Sequence, residues 1–217
     1  MMTSDQQLDG GAADLSDEGP SLLTRTLHWL MALLVVFQGL LGYANLHVGW
    51  FLHHEMAGIV LHQEVGLAIL FVAVWMMLQR LIEGRRSGHG LSSMQARLAG
   101  IVHAALYLLI LAESFLGIWI MGLTGAGLSF LFWHIGLPIA PDPQLVYSGG
   151  LMQIHAFIAG TLATLIVGHA AAALHHHVVL GDDVLRRMLL WKPQPRQPER
   201  RRFRAPATPV TDAAGDR

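Results

Sequence analysis

Apolar residues run through this chain in four long stretches: Leu27 to Leu46, Ala57 to Gln79, Leu98 to Gly122, and Gly150 to about Leu174. A helix needs roughly 20 residues to cross a hydrocarbon core about 30 Å thick, and each stretch is long enough. The pattern predicts an all-α membrane protein, a bundle of four transmembrane helices. The apolar piece LSFLFWHIGLPI, Leu128 to Ile139, is too short to span and contains Pro138. It belongs in a loop lying against the membrane surface.

Composition agrees: 53% of the 217 residues are hydrophobic and 13% charged, the latter about half the share of an ordinary soluble domain. The charges are one-sided. Arg25 precedes the first stretch, Arg80, Arg85, Arg86 and Arg97 fall between the second and third, and the remaining Lys and Arg all follow the fourth. The connections Ala44 to Met56 and Leu123 to Gly149 contain no Lys or Arg. By the positive-inside rule both termini are cytoplasmic and those two connections are outside. The net charge of -1 gives no reason to expect a nucleic-acid partner. The basic tail instead suits anionic membrane lipid.

Residues 1–20 are acidic and Gly-rich, lack the cationic start of a signal peptide, and are expected to be a retained, disordered tail. Residues 21–190 form the membrane domain, and 191–217 a Pro- and Arg-rich cytoplasmic tail expected to be disordered. The absence of cysteine excludes disulfides, Cys-ligated clusters and C-x-x-C-H attachment of haem.

Chemistry enters through the thirteen histidines. A helical residue advances about 1.5 Å, so His28, three residues past Arg25, sits roughly 5 Å inside the cytoplasmic boundary. His62, eighteen residues from Arg80, lies near the outer boundary. His155 and His169 are fourteen residues apart, about 21 Å along one helix and within roughly 40° of one face. They therefore pair by depth as His62 with His155 and His28 with His169. Two imidazoles facing each other in an apolar bundle suit a haem iron, whereas structural zinc wants four ligands at one point. The plain alternative for a lone intramembrane histidine is a hydrogen bond between helices. Four at matched depths on three helices favour metal ligation.

His103, roughly 9 Å deep on the inner side, is the rival for a ligand position and otherwise bonds a neighbour or a haem propionate. His176 shares the face of His169 but would put its partner level a full core thickness from His155, so it is expected at the mouth of an inner site. Arg25, one turn from His28, is placed as a propionate partner. His47, His53, His54, His89, His134, His175 and His177 are expected at solvated ends and loops. Glu64 and Glu113, each sixteen residues from an inner arginine, lie in the outer half, either as proton carriers or as protonated or snorkelling acids. Trp29, Trp75 and Trp119 are placed as interfacial or packing aromatics.

These residues resemble a family, the bacterial di-haem cytochromes b561, related to the b-type subunits of hydrogenase and formate dehydrogenase. RTLHWL is similar to the first-helix His-Trp, HQEVG to the second-helix His-x-x-x-Gly, and LHHHVVLGDDVLRRML to the close of the fourth helix. The resemblance covers roughly residues 21 to 190. It implies that His28, His62, His155 and His169 ligate two haem b groups, iron protoporphyrin IX, in a multi-pass protein of the bacterial inner membrane that exchanges electrons with ubiquinone. Some members are proposed to oxidise superoxide and reduce ubiquinone. Ile154 stands where an aromatic is usual. Three functions follow as expectations. The first is a quinone-linked oxidoreductase, with superoxide one candidate donor. The second is a haem anchor subunit fed by a periplasmic dehydrogenase or cytochrome docked on Leu123 to Gly149. The third, from another class, is a haem-free assembly or transport protein.

Overall fold

A computed structural model describes residues 20–47, 55–83, 92–137, 139–147 and 150–190. The two expected tails, apart from residue 20, and His53, His54 and His89 lie outside the described residues. Four helices, α1 (Leu22–His47), α2 (Glu55–Glu83), α3 (Ser93–Leu123) and α5 (Leu151–His175), are long and apolar enough to cross a membrane. Between α3 and α5 lie strands β1 (Leu128–Phe130) and β2 (Trp133–Ile135) and the short helix α4 (Pro143–Tyr147). A π-helical turn, His176–Leu180, and helix α6 (Val184–Met188) follow α5. The first three helices extend the apolar stretches read from sequence at one or both ends, while α5 matches its stretch to within one residue.

The helices pack in the order α1–α2–α3–α5. Their shared core is thin: Met31, Ile69, Val72, Ala73, Ile110 and Leu162 form one cluster, and Ile120, Leu123 and Val146 a second at the opposite end from Arg25. Leu40, Phe71, Leu108, Phe115, Phe157 and Val167 face outward. Apolar exposure on this scale has no place in water. In lipid it costs nothing, and helix association then depends on van der Waals contact and polar clamps. Such clamps are present: Gln38 Nε2 donates to the His62 carbonyl (2.9 Å), and Asn45 Nδ2 to that of Gly58 (3.3 Å).

The ends are built from caps. Ser92 closes a capping box with Gln95 at the start of α3, Ser92 N donating to Oε1 (2.9 Å) and Gln95 N to Ser92 Oγ (3.3 Å). At the start of α1, Thr24 N donates to Ser21 Oγ (3.2 Å) and Arg25 N to the Ser21 carbonyl (3.1 Å). Gln79 Nε2, near the end of α2, donates to Thr24 Oγ1 (3.1 Å), tying the two helix ends together.

The piece expected as a loop contains an antiparallel hairpin, with Leu128 opposite Ile135 and Phe130 opposite Trp133. Its register is held by Gly127, whose φ of +70° is left-handed and whose carbonyl accepts from Gln63 Nε2 on α2 (3.1 Å). A Cβ on Gly127 would stand 2.7 Å from the Ile135 carbonyl oxygen. Gly127→Ala is therefore expected to destabilise the protein by about 1 to 3 kcal/mol. Thermal unfolding in detergent checks this against Gly136→Ala, where a Cβ meets nothing within 4 Å.

Candidate functional site

The histidines chosen by depth meet across the bundle. His28 on α1 and His169 on α5 have ring centroids 6.3 Å apart with planes at 68°, and His62 on α2 and His155 on α5 have centroids 6.2 Å apart at 79°. All four rings are half-buried. Fourteen residues separate the two α5 rings, so the levels stand about 21 Å apart.

The separations test whether a metal fits. An imidazole nitrogen stands about 2 Å from the metal it ligates and a ring centroid ~1.1 Å further back, so two rings sharing one ion have centroids about 6.3 Å apart. Both pairs match that span. His103 approaches His169 with centroids 5.2 Å apart at 66°, too close for the same arrangement. The residues present fit a group with two axial imidazoles at each level. Among the described residues no cluster of three or more His, Asp and Glu is placed to hold a bare metal ion.

The level near Arg25 is ringed by polar groups. Arg25 Nη1 donates to the Leu189 carbonyl (2.9 Å), while its Nε is buried with no partner among the described residues. Trp29 Nε1 donates to the Met188 carbonyl (2.7 Å), so this tryptophan clamps the end of α6 onto α1, a role its interfacial position did not disclose. The charge of Arg80 lies within electrostatic reach of His103 and Tyr107. A buried, unfilled guanidinium donor is the group that suits a carboxylate such as a haem propionate.

His176 is not at the level of His169. It lies in the π-helical turn with Nδ1 2.5 Å from Asp182 Oδ2. Gly181, at φ +65°, ends the turn, and Asp182 N donates back to the His176 carbonyl (3.2 Å). Asp182 Oδ1 accepts from Val184 N (3.1 Å), which starts α6. Desolvation pushes the Asp182 carboxyl up, but the bonds from His176 and Val184 and the charges of His176 and His177 outweigh it, and the pKa is lowered. A carboxyl lowered in the folded state stabilises the turn above the ordinary carboxylate pKa, and that contribution is lost as pH falls through the depressed value. Asp182→Asn is therefore expected to loosen the turn at neutral pH. The check is faster tryptic cleavage after Arg186 and Arg187 than in the unaltered protein.

At the opposite level, Nδ1 of His155 meets Oε2 of Glu113. Glu64 makes no such contact with a histidine among the described residues. Gly42 leaves room for the His62 ring, with Cε1 3.3 Å from where a Cβ would stand. His47 stacks on Tyr43, His134 Nδ1 pairs with Ser129 Oγ (3.0 Å), and both are exposed with His175, as expected of solvated histidines. His177 is half-buried with an unpartnered Nδ1, unlike that expectation, because the π-helical turn rolls it inward. Sequence reasoning missed Gln38. A polar residue inside an apolar run was the available signal for Gln38.

Residues 20–191 match the family model described as prokaryotic cytochrome b561. The chain is 30% identical over 168 residues to the cytochrome b561 homolog 1 of Escherichia coli (strain K12), covering 75% of this chain and 92% of that protein. It is 30% identical over 175 residues to the cytochrome b561 homolog 2 of the same organism, covering 77% and 89%. It is also 30% identical over 175 residues to a probable superoxide oxidase CybB of Yersinia pestis, covering 78% and 94%.

Proposed function

The chain belongs to the prokaryotic cytochrome b561 family, and from that premise we propose a membrane electron carrier that holds two b haems and exchanges electrons with quinone. Membrane electron transfer and b-type haem come with the family. The number of haems and the ligands are our proposal, and the observation that carries it is the pair of imidazole separations, 6.2 and 6.3 Å, at two levels of one bundle. His62 and His155 hold the outer group and His28 and His169 the inner one. When bound, haem would supply reversible one-electron oxidation and reduction, and these four histidines would hold it.

The chain's own residues do the rest. The apolar helix faces exclude water from both levels. Arg25 Nε supplies a propionate donor at the inner level, and His103, beside His169 and Arg80, is placed to bind a propionate or the carbonyl of a quinone ring. His176, held by Asp182, lines the inner mouth. With Arg25 and Arg80 at one end, that end and both termini face the cytoplasm of a bacterial inner membrane.

The donor outside is superoxide or a redox protein. The name of the Yersinia relative supports superoxide. The outer connections have no Lys or Arg to draw in an anion, and the hairpin presents exposed Phe132 and Trp133, which supports a periplasmic dehydrogenase or cytochrome as donor. The test of quinone exchange is spectroscopic. Adding a short-chain ubiquinol to the purified oxidised protein is expected to bring up the band of reduced b haem, and no band with quinol where dithionite gives one would reject quinone exchange.

A further inference from the structure

The two imidazoles of the outer level are not equivalent. Gly117 and Glu113 lie one turn apart on the same face of α3. The Cβ that Gly117 lacks would stand 3.8 Å from Cε1 of His155, so the ring of α5 rests against bare backbone. One turn earlier its Nδ1 stands in ion-pair contact with the Glu113 carboxyl, a side chain 13% exposed whose oxygens are both buried, though no hydrogen bond is closed between them. Nδ1 of His62, across the level, is buried too, but no carboxyl stands against it among the described residues.

An acid at this depth is costly, and its placement on a ligand-bearing imidazole gives it work. A histidine that donates its Nδ1–H to a carboxyl is fixed in the tautomer that leaves Nε2 for a metal. It is also a stronger electron donor than a histidine without that partner. Stronger donation favours the more oxidised state of whatever iron it holds. We infer that Glu113 is a positioning residue for the outer level, where it sets the tautomer of His155 and lowers the reduction potential of the group bound between His155 and His62. This rests on the bis-histidine assignment proposed above. The inner level is left alone, because Glu113 touches neither His28 nor His169.

The test is a redox titration of the purified, haem-loaded protein followed by absorbance. Glu113→Gln keeps an oxygen acceptor but removes the acid. It is expected to shift the reduction equilibrium of one haem at least tenfold toward the reduced form, about 59 mV upward for one electron, with the other haem unmoved. Glu64→Gln is expected to move neither. Two unshifted potentials in a fully loaded Glu113→Gln protein would overturn the inference, and so would an equal shift from Glu64→Gln. Oxidised-minus-reduced infrared spectroscopy of the unaltered protein gives a readout that needs no variant to fold. A carboxylate band that moves with reduction of one haem only is expected, and no such band would overturn the inference. Absence of any b haem in the unaltered protein would instead remove the bis-histidine assignment itself.

Discussion

His62→Ala is expected to leave a protein that carries one haem in place of two. His62 and His155 face each other with centroids 6.2 Å apart, and removing one ring would leave a single imidazole to hold the outer group, beside an open space where Gly42 already offers no side chain. The inner level lies about 21 Å away and shares no ligand with it, so the effects do not spread. Haem per polypeptide therefore falls by roughly half, and one of two titration components disappears. Loss of both components would show that the levels are not independent.

His169→Ala is expected to be the most damaging single change to activity. It removes the inner ligand, and it removes the ring against which both His28 and His103 pack. Haem content is again expected to fall by roughly half, and the cluster of His28, His103 and His169, at the end where quinone exchange is proposed, is broken up. Reduction by ubiquinol drops to background while dithionite still reduces what is bound. His103→Ala separates the two roles of this cluster. Its 5.2 Å approach to His169 is too short for a shared iron, so both haems stay while quinol reduction slows. Loss of the inner haem on His103→Ala with retention on His28→Ala would exchange their roles.

Much of this was legible in the sequence because depth in a membrane can be counted. Arginines mark one boundary, and the helical rise converts residue spacing into distance. His28, His62, His155 and His169 could thus be sorted into two levels before any helix was oriented. Rotation was harder. Glu64 and Glu113 have the same count from their arginines, yet only Glu113 meets a ligand-bearing imidazole. That outcome depends on how α3 packs against α5 around Gly117, which no one-helix count contains. His176 was separated from the inner level by counting, but its Asp182 contact depends on a π-helical turn and a left-handed Gly181. The hairpin was missed because three-residue strands carry no usable periodicity and their pairing rests on left-handed backbone at Gly127 and Leu131.

The central claim is that two levels of one bundle each clasp an iron porphyrin between paired histidines. Its most direct test is the molar ratio of haem b to polypeptide in the purified protein, measured as the pyridine haemochrome against amino-acid analysis. A ratio of two is the predicted result, and a ratio of one or zero in fully loaded protein would contradict it.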